Sequence, residues 1–113
     1  MRNVIPYAER LILEYMYKAG MPIHLKGADY ICGATKMNLK GTEKLIAVYY
    51  YLAKQHNTTE MCIERDIRHC IESAWNKNRE AFCRVFGERY SQSRPTNKEF
   101  ICILSYKVRM RII

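Results

Sequence analysis

The chain has 113 residues, 49% of them hydrophobic and 27% charged. That length allows one core, so residues 1–113 read as a single domain, and it excludes folds the size of an eight-stranded α/β barrel, which takes about 250 residues. Nineteen Lys and Arg face eleven Asp and Glu, a net charge of +8, which suits a polyanionic partner, nucleic acid first, and equally suits a solvated basic surface.

Within residues 4–19, Ile5, Ala8, Leu11, Ile12, Tyr15 and Met16 recur at three- and four-residue steps, the period of a helix with one buried face. Gly20 followed by Met21-Pro22 stops that helix. A second helix is predicted over 25–38, weakened by Gly27 and Gly33, and Asn38 to Gly41 reads as a turn. The third is predicted over 42–55, with Thr42 as its cap, Glu43 in its first turn, and an apolar stripe of Leu45, Ile46, Tyr49, Leu52 and Ala53. After the polar break His56-Asn57-Thr58, Thr59 opens a fourth helix that runs to Trp75. Its apolar face is Ile63, Ile67, Cys70, Ile71 and Ala74. Residues 79–86 form a short fifth helix ended by Gly87, and 88–95 carry no period and read as a loop. Pro95-Thr96-Asn97-Lys98-Glu99 announces the last helix, 97–111. There Thr96 and Glu99 cap each other's amides, and Phe100, Ile101, Leu104 and Val108 point inward. Six helices and no strand predict an all-α domain, a six-helix bundle.

The five cysteines, at 32, 62, 70, 83 and 102, include no C-x-x-C pair. They read as reduced, buried thiols of a cytoplasmic protein rather than as a disulfide framework or a zinc site. The start MRNVIPYAER lacks the apolar stretch of a signal peptide, and no apolar run approaches the roughly 18 residues of a membrane span. His24 and His56 have no Cys or carboxylate at metal-ligand spacing, and Gly27 and Gly33 fit neither the dinucleotide nor the P-loop pattern. Nothing here makes a case for an enzyme, and neither metal nor cofactor is expected.

The short polar link between the third and fourth helices suits a helix-turn-helix, with 59–75 as the recognition helix. Its outer face carries Met61, Glu64, Arg65, Arg68, His69 and Glu72. Arg65 has the forked donors that suit guanine O6 and N7, Glu64 the carboxylate that accepts from cytosine N4, and Arg68 can reach a base or a phosphate. Thr58, Thr59 and His69 are candidates for the DNA backbone. The competing reading is i,i+4 ion pairing on an exposed face, Glu64 with Arg68 for instance. Charge by segment keeps both readings open. Residues 1–56 hold 8 basic and 4 acidic groups, 57–75 hold 2 and 4, and 76–113 hold 9 and 3, giving +4, −2 and +6. Phosphate neutralisation therefore falls to the flanks, with Lys77, Arg79, Arg94 and Lys98 as candidates, each of which can also be a plain surface charge. Tyr49 and Trp75 read as core.

Asn57-Thr58-Thr59, followed by Ile63-Glu64-Arg65, Ile67-Arg68-His69, Ile71-Glu72 and Ala74-Trp75, resembles the signature of one family. It is the C-terminal DNA-binding domain of the stage-zero sporulation response regulator of endospore-forming Firmicutes. Gly20 to Gly27 with Tyr30, Ala53-Lys54, Phe86-Gly87, Pro95-Thr96-Asn97 and Glu99-Phe100-Ile101 agree in order and spacing, so that the resemblance spans residues 5–110. It implies a six-helix bundle that reads a short G- and C-containing box of double-stranded DNA, with tandem homodimers on adjacent boxes and contact with the RNA polymerase sigma subunit. Glu64 and Arg65 match the family's base-reading pair, and Arg68 and His69 its further contacts. A nucleoid-associated, cytoplasmic location follows.

The departures are local. Met61 and Cys62 stand where the family has a small polar residue and an arginine, Asp66 stands where it has a small apolar one, and Glu60 adds a further acid. The tyrosine-rich third helix also differs. In the family this domain follows a phospho-receiver domain, whereas here Met1 closely precedes the first helix, so a stand-alone regulator without phosphorylation control is expected. The alternative is a protein-interaction module of the same fold, binding RNA polymerase or a related regulator, with weakened DNA binding. The acidic fourth helix and the apolar Met61 motivate it.

Overall fold

The computed structural model describes residues 4–41 and 44–112, with the backbone alone at residues 4 and 5. Among these residues there are six α-helices and no strand: α1 Val4–Lys18, α2 Lys26–Lys40, α3 Leu45–Gln55, α4 Glu60–Lys77, α5 Arg79–Phe86 and α6 Asn97–Ile112, with a single 3₁₀ turn at Glu88–Tyr90. The all-α bundle read from the sequence is the observed architecture. The recognition helix is two residues longer than expected at its C-terminal end, with Thr59 outside it as the cap. The expected Thr42 cap, with Glu43, lies outside the described residues, as does the side chain of Ile5.

The helices form where apolar spacing and end signals agree. Gly20 takes the left-handed conformation (φ 78°) that ends α1, and its successor Met21 donates back to the Met16 carbonyl at 3.0 Å. At the other end of the chain, Thr96 Oγ1 accepts from the Glu99 amide at 3.1 Å. The Thr96 amide donates to the Glu99 carboxylate at 2.9 Å. These reciprocal bonds satisfy two helix-end donors that nothing inside α6 could reach.

α2 is the spine. It packs on both α4 and α6, while α3 closes against α4 and α2, α1 against α2 and α6, and α5 against α4 and α1. The predicted α4 stripe, Ile63, Ile67, Cys70, Ile71 and Ala74, is buried throughout, as are Phe100, Ile101, Leu104 and Val108 of α6. Each such large side chain contributes about 1.5–3 kcal/mol by leaving water. Phe82, Phe86 and Phe100 interlock with ring centroids 4.8–5.9 Å apart, joining α5 to α6.

Three expectations change, the first being the turn read at Asn38 to Gly41, which is helix as far as Lys40. Ile46, assigned to the buried stripe of α3, is 70% exposed, and Val48 is buried instead. Leu45, Val48, Tyr49 and Leu52 complete an i, i+3, i+4, i+7 face, and Ile46 lies a 100° step beyond Leu45, outside it. Gly27 and Gly33 do not interrupt α2, which runs unbroken to Lys40. Gly27 lets α2 meet α4, because a Cβ there would sit 2.2 Å from the Asp66 carbonyl oxygen. The helix-propensity cost of this glycine is the cost of a close helix crossing.

Candidate nucleic-acid interface

α3 and α4 pack on each other and are joined by residues 56–59. The turn is closed from both sides. Asn57 adopts φ 55°, the Thr58 amide donates to the Ala53 carbonyl at 2.9 Å, and the Asn57 amide to Lys54 at 3.3 Å. That pairing is a Schellman ending, and Asn is the side chain after Gly that best tolerates its left-handed position. One residue later Thr59 caps α4, its hydroxyl accepting from the Cys62 amide at 3.1 Å. The Tyr30 and His56 rings meet edge to face with centroids 4.9 Å apart, tying the turn to α2. Backbone hydrogen bonds and one aromatic contact thus fix the direction in which α4 leaves the turn.

The outer face of α4 is the one read from the sequence. Met61 stands 76% exposed, Arg65 and His69 are exposed one turn apart, and Glu64, Arg68 and Glu72 are half-buried. The ion pairing offered as the competing reading is present. Arg68 Nε and Nη2 lie 3.2 and 3.3 Å from the two Glu64 carboxylate oxygens, a forked pair that holds the Arg68 guanidinium above its ordinary pKa. Arg65 is held more loosely, its Nε 3.5 Å from the Asp66 carboxylate and its Nη2 3.5 Å from the Cys62 sulfur. Exposed pairs of this kind stabilise a fold little and exchange partners readily.

Hydrogen bonds with the Thr59 and Thr58 side chains, and then the Arg65 charge, hold the Cys62 thiol below its ordinary pKa. Burial pushes Cys32 and Cys70 the other way, up to about 11. The expectation of buried thiols holds for Cys32, Cys70 and Cys83, whereas Cys62 is half-buried and Cys102 exposed. Among the described residues no group of three or more His, Cys, Asp or Glu is arranged to hold a metal ion.

A groove of about 670 Å³ runs beside α4, lined by Tyr49, Glu64, Arg68 and Trp75 on one side and by Arg94 and Lys98 on the other. It brings together four of the candidate residues, which come from α4, the 91–96 loop and α6. Arg65 and His69 lie outside its lining, on the outer face of α4, and Lys77 is exposed in the last turn of that helix. Thr58 is half-buried in the turn. Arg94, part of the groove lining, pairs at 2.7 Å with Glu72 of α4, which lies outside the lining. Arg79 is differently employed: its guanidinium lies 3.5 Å from the Trp75 ring centroid and donates to the Trp75 and Ser91 carbonyls at 3.3 and 3.5 Å. With the Trp75 indole donating to the Tyr90 carbonyl at 2.6 Å, Arg79 staples the 88–96 segment onto α4.

Sequence reasoning missed Asn97. Its side-chain amide donates to the Tyr49 hydroxyl at 3.0 Å and to the Glu64 carbonyl at 3.1 Å, joining α6 to α3 and α4 directly behind the candidate reading residues. The only local signal was its place beside the Thr96 cap, which says nothing of partners 33 and 48 residues away.

No helix among the described residues is long and apolar enough to cross a membrane. A family model described as the sporulation initiation factor Spo0A C-terminal domain matches residues 12–108, nearly the whole chain and most of the 5–110 span of the sequence resemblance. That family consists of DNA-binding transcription-factor domains and is not an enzyme family. With a closed helix-turn-helix, an exposed α4 face and this match, the chain belongs to the Spo0A C-terminal domain family, the DNA-binding effector domains of the sporulation regulator.

Proposed function

We propose that the protein regulates transcription by reading a short G- and C-containing box in the major groove through α4, and that Arg65 carries the discrimination. The observation that supports this most is the placement of Arg65. It is exposed on the outer face of a helix whose entry angle is fixed by the Asn57 turn and the Thr59 cap, and among the described residues it is held by long contacts of 3.5 Å. A loosely held guanidinium at that position costs little to transfer to guanine O6 and N7. Glu64 and Arg68 act beside it, once their fork opens, on cytosine N4 and on a base or phosphate. Thr58, Thr59, His69, Lys77, Arg94 and Lys98 contact the sugar-phosphate backbone and set the register. Tandem homodimers on adjacent boxes and contact with the sigma subunit belong to the same reading.

Arg65→Ala tests it. The variant loses about 1–3 kcal/mol of discrimination between boxed and scrambled duplex while retaining its affinity for scrambled duplex. Competition binding that leaves the discrimination ratio unchanged refutes the role of Arg65.

One observation favours a second reading. Met61, an unbranched apolar side chain 76% exposed in the first turn of α4, suits a protein contact better than a phosphate. On that reading the domain docks on RNA polymerase or a related regulator. It captures one of those two purified partners with no boxed duplex present, and Met61→Ser weakens the capture.

A further inference from the structure

The candidate reading surface is neutralised from within. Each of the three arginines that the proposed function places on DNA faces a carboxylate: Arg65 faces Asp66 at 3.5 Å, Arg68 faces Glu64 at 3.2 Å, and Arg94 faces Glu72 at 2.7 Å. The first two pairs form along α4 itself. The third joins separate elements, because Glu72 projects from α4 and Arg94, which lines the groove, from the loop that leads into α6. It is the shortest of the three, and both side chains remain partly open to solvent, 39% for Arg94 and 29% for Glu72. The start of that segment is held to α4 independently of Glu72, Tyr90 by the Trp75 indole and Ser91 by the Arg79 guanidinium.

We propose that Glu72 is a built-in stand-in for a DNA phosphate. Its carboxylate occupies Arg94 in the free protein, is displaced when Arg94 turns to the backbone, and so sets how tightly and how salt-dependently the domain binds. The inference rests on the proposed DNA-binding function and adds to it a residue that acts against binding, through Arg94. The physics has a definite sign. A guanidinium paired with a carboxylate brings no net charge to the phosphates, and the abandoned Glu72 takes up a counterion when Arg94 leaves. Part of the counterion-release gain is thereby cancelled. Removing the carboxylate restores that gain without touching any base-reading residue. The sequence foreshadows this only as a net −2 over residues 57–75. The fold shows which acid faces which flanking base.

The test is a double-mutant cycle in the full chain with Glu72→Gln, Arg94→Ala and the pair, titrated on boxed and scrambled duplex at 50 and 200 mM salt. One recovered phosphate contact is worth at most about 15-fold in affinity at 50 mM and about 4-fold at 200 mM, and steepens the log–log salt slope by about one unit. Glu72→Gln is expected to tighten binding to both duplexes toward those limits, with the discrimination ratio unchanged. The gain is expected to shrink at least severalfold in the Arg94→Ala background, because Glu72 acts through Arg94. Thermal unfolding of each variant checks that the fold survives. Affinity unchanged or weakened by Glu72→Gln overturns the inference, and so does a gain that persists undiminished without Arg94, since that is a general charge effect. In either case, wild-type preference for the box leaves the DNA-reading proposal standing. A wild-type protein that prefers no box overturns that proposal, and the inference falls with it.

Discussion

Arg65 and Arg68 are three residues apart on one helix, yet they are held differently. Arg68 is forked onto both Glu64 oxygens, whereas Arg65 has only 3.5 Å contacts with Asp66 and Cys62. The candidate residues were legible because they lie on one face of a helix with an unambiguous apolar stripe opposite. Their pairing was legible only as an alternative, since i,i+4 spacing permits an ion pair without requiring one. The Glu72 to Arg94 bridge, across 22 residues of chain, was not legible at all. Cys62 supplies an independent probe of this surface. Its lowered thiol pKa favours the reactive thiolate, and it lies in the first turn of α4 beside Arg65. Iodoacetamide is expected to modify Cys62 and the exposed Cys102 in the native protein and to spare Cys32 and Cys70, whose thiols burial holds near 11. Boxed duplex is expected to protect Cys62 and leave Cys102 reactive, as peptide mass mapping would show. Equal labelling of Cys62 with and without duplex would place the DNA elsewhere.

The elements followed from local signals wherever those signals were complete. The α4 stripe, the Thr96 and Glu99 capping pair and the Gly20 stop all involve residues within a single helix or at its end, and all are as expected. Ile46 misled because it is apolar and adjacent to a true stripe position, and only the 100° step between neighbours separates the two faces. Gly27 misled in the other direction. Propensity counts it against α2, but the close approach to Asp66 that it permits is a long-range fact. Gly27→Ala would gain up to about 1 kcal/mol of helix propensity. It would also drive a methyl to 2.2 Å from a backbone oxygen, which cannot rotate away as a side chain could. A net loss of about 1–3 kcal/mol is expected, read as a lower Tm. Gly41→Ala is the control, since a Cβ there meets nothing within 4 Å. If Gly27→Ala is as stable as the parent, α2 and α4 do not cross as closely as described.

For the molecule as a whole, the net charge of +8 divides the work. The basic groups lie mainly outside the 57–75 segment, which is itself net −2, so the proposed function assigns attraction to phosphates to the flanks and discrimination to α4. Part of the flanking charge is spent inside the protein, Arg79 on Trp75 and Arg94 on Glu72. On the proposed reading, the affinity for DNA of any sequence is expected to be lower than a count of basic residues suggests, with discrimination by α4 untouched. The two contributions separate under salt, because counterion release weakens backbone binding to every duplex alike and leaves base contacts in place. The most direct measurement is a fluorescence-anisotropy titration of the wild-type chain with boxed and scrambled duplex at two salt concentrations. A sequence reader binds the box more tightly at both, with the ratio of the two affinities preserved while each falls with salt. Equal affinity for the two duplexes at both salt concentrations would contradict base reading by α4.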